Sequence, residues 1–223
     1  MTELSQPPGR FRVVAKEKLA DERMQGALQL AQGRLYDARL RGWDDLPDVE
    51  ALRDRARDIR TRTVEDLDRH LALFQERLEA LGGRVHRCES AADAAATVVA
   101  ICRGAGAGLV AKSKSMVSEE IRLNEALEAA GMRPVETDLG EYILQLAGEH
   151  PVHIVAPAIE KTAEQVADLF TRVAGAPTTA ELGDLTRTAR GILREVFLAA
   201  DVGVTGVNFA VAETGSICLT TNE

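Results

Sequence analysis

The sequence has few aromatic residues, few cysteines and no long apolar run. Aromatic residues make up only 4% of the 223 residues, so a core must be built from Ala, Val, Leu and Ile, which suits an α/β fold. No uninterrupted apolar stretch reaches the length of a membrane span. The opening residues, MTELSQPPGRF, lack the charged and apolar regions of a secretory signal. A cytoplasmic protein is therefore expected.

The three cysteines, Cys88, Cys102 and Cys218, are isolated from one another and from any histidine at ligand spacing. Scattered thiols of this kind are typical of small buried side chains in a reducing compartment. An iron–sulfur cluster needs closely grouped thiolates, so none is expected within these residues. His150 and His153 are not expected to share a metal either, because a spacing of three along a strand does not bring two imidazoles together.

Positive charge is also in short supply. The 27 basic residues against 35 acidic residues give a net charge of −8, whereas nucleic-acid binding needs a basic face. No nucleic-acid partner is therefore expected, although the balance leaves room for a local basic pocket.

The chain divides into a predicted helical region, residues 1–83, and a predicted α/β domain, residues 84–223. Apolar residues from Val49 to Leu81 recur at steps of three and four, which predicts one helix ended by Gly82 and Gly83. Short apolar segments then alternate with helical patterns. The predicted strands are 84–88, 108–112, 133–137 and 152–156.

Strands separated by helices predict a Rossmann-like, mainly parallel sheet with right-handed crossovers. A further helix is predicted at 179–200. Residues 209–212 and 216–219, joined by the turn ETG, predict a C-terminal β-hairpin. The glycine cluster GAGAG at 104–108 follows a helix and precedes a strand, the reverse of a dinucleotide fingerprint, so it is interpreted as a helix stop and turn.

The segment LVAKSKSMVSEE, residues 109–120, carries the strongest indication of a site. A buried strand runs directly into lysines and serines, and a predicted helix then begins near Ser118. Cations, hydroxyls and a helix N-terminus at the carboxyl end of a parallel strand predict a pocket for a carboxylate or phosphate. The alternative is that the serines cap the helix and the lysines pair with Glu119 and Glu120. The candidate ligand-binding residues are Lys112, Ser113, Lys114 and Ser115.

Other polar residues follow later strands or lie in the hairpin. Asp138 is interpreted as a ligand contact or a base or, alternatively, as the cap of the next helix. Glu213, in the hairpin loop, is a candidate nucleophile or general base or else an ordinary turn residue. Asn208 and Thr214 are added as candidate binding residues from their positions beside it. No serine or cysteine lies in a nucleophile elbow.

Three long segments resemble one known family. They are VAKSKSMVSEEIRLNEALEAAG, VETDLGEYILQLAGEHPVHIVAPAIEKT and FLAADVGVTGVNFAVAETGSICLTTNE. They closely resemble the lactate utilisation protein B family, the iron–sulfur subunits of a three-part bacterial system for lactate oxidation. The resemblance extends over nearly the whole chain.

The resemblance implies a lactate utilisation (LUD) domain, whose fold is similar to that of the ribose-phosphate isomerase and CoA transferase superfamily. It also implies a role in oxidising L-lactate to pyruvate, with electrons passing among partner subunits. Complete family members continue into a ferredoxin-like region with two 4Fe-4S clusters. Because the sequence stops at TTNE without a closing helix, truncation before that region is expected. The family supplies no catalytic residue for this domain.

Two main hypotheses follow from the residues and the resemblance. In the first, the chain belongs to a redox complex and binds a small 2-hydroxy or 2-oxo acid through residues 112–115. In the second, it is a docking module without a ligand, which holds the other subunits through its helices and hairpin. A sugar-phosphate or CoA-type enzyme is a third and weaker alternative.

Overall fold

The computed structural model describes residues 8–149 and 157–220. Helices and strands alternate through the second half of this part of the chain. The helices are α1 (Pro8–Ala20), α2 (Glu22–Asp44), α3 (Val49–Glu65), α4 (Leu67–Ala80), α5 (Ala91–Gly104), α6 (Met116–Glu120), α7 (Leu123–Ala129), α8 (Leu139–Ala147), α9 (Ala163–Ala174) and α10 (Leu182–Ala199). The strands are β1 (Leu109–Lys112), β2 (Arg133–Glu136), β3 (Val202–Val204), β4 (Phe209–Val211) and β5 (Ser216–Cys218).

The chain forms two compact units, Met1–Asp54 with Ile159–Lys161 and Arg55–Ala158 with Thr162–Glu223. In the first unit, the guanidinium carbon of Arg39 lies 4.1 Å from the centre of the Trp43 ring, a cation–π contact. Compactness does not establish independent folding, so the predicted division into residues 1–83 and 84–223 stays a prediction.

The second unit is built on a parallel sheet of described strands in the order β2-β1-β3. In register, Lys112 at the end of β1 lies opposite Glu136 of β2 and Val204 of β3. All three strands therefore present their carboxyl ends at the same edge of the sheet. We call this edge, together with the loops that follow the strands, the carboxyl edge.

Helices cover both faces of the sheet. Ala111 of β1 and Val135 of β2 belong to one apolar core that includes residues of α8, α9 and α10. The next residue along β1, Val110, belongs to a second core with Leu123 and Leu127 of α7. Because successive strand residues point to opposite faces, β1 is buried on both sides, as expected for a central parallel strand. The predicted α/β class with a parallel sheet and a terminal hairpin is confirmed, since β4 and β5 pair antiparallel.

Two predicted elements are wrong. The predicted single helix over 49–81 is broken at Asp66, whose backbone angles of φ −128° and ψ 41° are not helical. The apolar period therefore belongs to two helices, α3 and α4. Residues 84–88 are not a strand, because no neighbouring strand among the described residues pairs with them. The predicted strand at 152–156 lies outside the described residues.

Local capping signals were more reliable. The Ser90 hydroxyl accepts a hydrogen bond from the Asp93 amide at 3.1 Å and begins α5, as predicted. The predicted helix after β1 is divided into α6 and α7 by Arg122, which has a left-handed backbone with φ 55°. Within the described part of the chain, every helix is too short or too polar to cross a membrane.

Candidate functional site

A buried ion pair lies at the centre of the carboxyl edge. The Lys112 side chain is 1% exposed, and its Nζ atom lies 2.7 Å from Oε1 of Glu136. The same ammonium donates to the Ser118 hydroxyl at 3.0 Å. Asn124 on α7 donates from Nδ2 to Oε1 of Glu136, also at 2.7 Å. The predicted pairing of this lysine with Glu119 or Glu120 is replaced by a cross-strand pair, which binds β1 to β2 and to the helices above them.

A second lysine and carboxyl lie beside this pair. Lys114 Nζ is 3.9 Å from Oε1 of Glu141, a buried residue on α8. Burial raises the pKa of Glu141 to about 9, and hydrogen bonding to Glu119 and the negative charge of Glu136 act in the same direction. Glu141 therefore holds a proton at neutral pH, which it shares with Glu119.

Three buried oxygen atoms at this edge have no hydrogen-bond partner among the described residues: Oε2 of Glu136, Oε2 of Glu141 and Oδ1 of Asn124. We call them the acceptor cluster. Buried polar atoms are almost always satisfied in folded proteins, because each one left without a donor costs free energy. Their concentration beside two lysines makes this edge the candidate ligand site.

The serines of the predicted pocket tie neighbouring loops together. The Ser113 hydroxyl donates to the Thr205 hydroxyl at 2.8 Å, which joins the loops after β1 and β3. The Ser115 hydroxyl accepts from the Ser118 amide at 3.2 Å and caps α6, as the alternative interpretation expected. A Cβ atom on Gly206 would lie 3.1 Å from that of Ser115, so the second loop approaches the first closely.

Asp138 also serves as a cap. Its Oδ1 atom accepts from the backbone amide of Glu141 at 3.0 Å, at the beginning of α8. The capping interpretation is confirmed, and it places Asp138 one helical turn from the buried Glu141. A direct role of Asp138 in ligand binding stays a prediction.

The other candidates lie in the terminal hairpin. Asn208 accepts from the Thr220 amide at 2.8 Å, and Thr214 donates to the Ser216 hydroxyl at 2.9 Å. Glu213 is exposed in the turn. The side-chain hydrogen bonds of Asn208 and Thr214 both stay within the C-terminal segment. The predicted site residues therefore fall into two groups, and only the group at the carboxyl edge is buried and charged.

The hairpin turn is seated on helix α4 through Gly215. This glycine has φ +71°, and a Cβ atom there would lie 2.5 Å from the backbone nitrogen of Leu78. We expect Gly215→Ala to lower the unfolding free energy by about 2 kcal/mol, because the methyl group meets backbone that cannot move aside. Urea denaturation measures the change.

Gly106→Ala is the matched control for the turn. Gly106 has a similar φ of +68° but open space around its Cβ position, so its substitution costs only the backbone strain. Equal losses in the two variants would show that the contact of Gly215 with α4 contributes nothing.

Sequence reasoning missed the acidic half of the site. Glu136 falls inside the predicted strand 133–137, and Glu141 follows the predicted cap Asp138, and the sequence pattern predicts no role for either. The available signal was a carboxylate at the end of an apolar strand, RPVE, next to a strand that ends in lysine. Pairing them required the register of β1 against β2.

The described residues contain no group of three or more His, Cys, Asp and Glu side chains that could hold a metal ion. Cys102 is buried, and burial raises the pKa of its thiol. Cys88 and Cys218 are exposed and belong to different parts of the fold. These thiols do not fit a 4Fe-4S cluster, which needs grouped thiolates.

The parallel sheet, with helices packed on both faces and charged side chains at its carboxyl edge, defines an α/β domain. Residues 71–223 match the family model described as LUD domain, and the chain therefore belongs to the LUD domain family. This confirms the resemblance that the three sequence segments indicated. No solved structure matches the chain significantly.

The curated relatives narrow this assignment. The chain is 46% identical over 214 residues to lactate utilization protein B of Macrococcus caseolyticus. The aligned region covers 96% of this chain and 45% of that protein. It is 46% identical to the Bacillus pumilus protein of that name, covering 93% of this chain and 44% of the relative. Lactate utilization protein B 2 of Bacillus mycoides is 43% identical, and the aligned region covers 92% of this chain and 43% of that protein. The chain spans less than half the length of these relatives.

Proposed function

We propose that this chain acts in lactate utilisation, as the LUD domain of a protein of the lactate utilization protein B type. The observation that carries the proposal is 43–46% identity over more than nine-tenths of the chain to proteins of that name. The partners are then the other subunits of the lactate-oxidising system. On this proposal, two 4Fe-4S clusters would relay the electrons from a further region, outside the residues of this chain.

Within that role, the carboxyl edge binds a small 2-hydroxy or 2-oxo carboxylate. Ligands of open parallel sheets bind at this edge, beyond the ends of the strands. Lys114 is the ammonium best placed to hold the carboxylate, because its side chain is 19% exposed whereas that of Lys112 is 1% exposed. The neighbouring Glu141 is protonated at neutral pH, so it does not oppose the approach of an anion.

The test is calorimetric titration of the protein with L-lactate, pyruvate and phosphate. We expect Lys114→Ala to weaken carboxylate binding at least about tenfold, because an ammonium that contacts a carboxylate is lost. The unfolding free energy should change by less than about 1 kcal/mol, as is usual for a substitution of a partly exposed side chain outside the core. Unchanged affinity in this variant would remove Lys114 from the site.

Lys16→Ala is the control for a general effect of charge, because Lys16 is an exposed lysine on α1, away from the sheet in the sequence.

Phosphate binding without carboxylate binding would point instead to the sugar-phosphate type of enzyme. No binding of any of the three anions would contradict the proposed ligand.

A docking module is the second candidate function, and the hairpin is the observation that favours it. All residues of β4 and β5 are exposed, and Phe209 and Val211, which alternate onto the same face of the hairpin, are 65% and 39% exposed. Exposed apolar side chains grouped on one hairpin are typical of a surface that contacts another protein. This function predicts that Phe209→Ser leaves the fold intact and weakens association with the partner subunits in a pull-down.

A further inference from the structure

At the carboxyl edge, some buried hydrogen-bond acceptors have no donor. The Lys112 ammonium and the Asn124 amide both donate to one oxygen of Glu136, Oε1, and leave Oε2 without a partner among the described residues. Oε2 of Glu141 likewise has no hydrogen-bond partner among the described residues. Glu136 is 5% exposed and Glu141 is 7% exposed, so bulk water does not satisfy these atoms. These two buried oxygens therefore lack hydrogen-bond donors.

A ligand that fits this imbalance must bring a donor with it. A simple carboxylate or a 2-oxo acid carries only acceptor oxygens at neutral pH, so it would leave the acceptor cluster unsatisfied. A 2-hydroxy acid carries one hydroxyl donor on the carbon next to its carboxylate. Because sites that hydrogen-bond a ligand hydroxyl discriminate strongly against analogues that lack it, the imbalance selects for the hydroxyl.

The positions of Lys114 and Glu141 agree with the geometry of such a ligand. Lys114 Nζ lies 3.9 Å from Oε1 of Glu141, which is longer than a direct charge-assisted hydrogen bond. A carboxylate held by this ammonium would place the hydroxyl of the adjacent carbon within reach of the Glu141 carboxyl. Burial, together with the hydrogen bond to Glu119, keeps Glu141 neutral, so one oxygen accepts without repelling the ligand carboxylate.

We propose that Glu141 is a specificity-determining residue, whose unpartnered oxygen accepts the hydroxyl of a 2-hydroxy carboxylate and makes the site prefer 2-hydroxy over 2-oxo acids. The proposal rests on the proposed binding of a small carboxylate at the carboxyl edge. It assigns the recognition of the carboxylate to Lys114 and the recognition of the hydroxyl to Glu141.

Two substitutions of Glu141 separate hydrogen bonding from shape. Glutamine keeps a neutral acceptor oxygen and replaces the shared hydroxyl proton with an amide donor toward Glu119. Methionine has a similar volume but a poor acceptor in place of the carboxyl. Glu128→Gln is the control, because Glu128 is an exposed glutamate on α7.

The experiment is calorimetric titration of the protein and the three variants with L-lactate, pyruvate and propanoate. The unmodified protein should bind L-lactate at least about tenfold more tightly than the other two acids, since neither offers the hydroxyl. Glu141→Met should abolish this preference and leave pyruvate binding within about twofold. Glu141→Gln and Glu128→Gln should retain the preference. Circular dichroism and thermal melting confirm that each variant is folded.

The outcomes distinguish this inference from the function on which it rests. Equal affinity of the unmodified protein for the three acids, or an unchanged preference in a folded Glu141→Met variant, would overturn the inference and leave carboxylate binding intact. The comparison of the three acids does not depend on any variant, so it remains decisive if Glu141→Met does not fold. Failure of the unmodified protein to bind any of the acids would overturn both proposals.

Discussion

Replacement of Lys112 by methionine is expected to lower the unfolding free energy by about 3–5 kcal/mol, the usual cost of removing one partner of a buried ion pair. The lysine is 1% exposed, and its loss would leave the Glu136 carboxylate buried without its 2.7 Å counterion. Methionine fills most of the volume, so the loss reports the charge rather than a cavity. Urea denaturation at neutral pH measures it.

The double variant Lys112→Met with Glu136→Gln tests the same explanation. Glutamine keeps an oxygen to accept from Asn124 but carries no charge, so most of the lost stability should return. A Lys112→Met protein within about 1 kcal/mol of the unmodified one would show that the pair is not what holds β1 to β2.

This pair also changes how the predicted anion pocket is tested. The sequence pattern predicts the same ligand-binding role for Lys112 and Lys114. In the structure, Lys112 is buried and Lys114 is partly exposed. A loss of binding in a Lys112 variant would therefore be confounded by a loss of folding. Lys114 is the residue whose substitution separates ligand binding from stability.

The features that could be predicted from the sequence are local or periodic. The apolar segment of β1 ends in lysines and serines, and α/β alternation places that end at the ligand-binding edge of a parallel sheet. Ser90 and Asp138 cap helices through their own side chains, within three residues along the chain. Such interactions need no knowledge of the rest of the fold.

The features that the sequence missed depend on tertiary structure. The partner of Lys112 is 24 positions away, and only the parallel register of β1 against β2 brings it close. Strand β3 is three residues long with Gly203 at its centre, so it has no propensity signal of its own, and its pairing with β1 defines it. The apolar period across Asp66 likewise contains no sign of the break between α3 and α4.

The pH dependence of stability is the second large effect that we expect, and it arises from Glu141. Its pKa is about 9 in the folded protein against an ordinary value near 4.5, so the folded state retains a proton that the unfolded chain releases. The stabilisation from this group is complete below pH 4.5 and is lost as the pH rises toward 9, at up to about 1.4 kcal/mol per pH unit. Stability should therefore fall as the pH rises from about 4.5 to about 9.

Glu141→Gln removes this titration while it keeps a neutral hydrogen-bonding side chain of the same shape. The unfolding free energy of the variant should depend less steeply on pH between 5 and 9, and Glu128→Gln should follow the unmodified protein. Glu119, Glu136, Lys112 and Lys114 face Glu141 and are present in both proteins, so the difference between the two curves isolates one group. Parallel curves would mean that Glu141 ionises normally in the folded protein. The neutral acceptor on which hydroxyl recognition depends would then be absent.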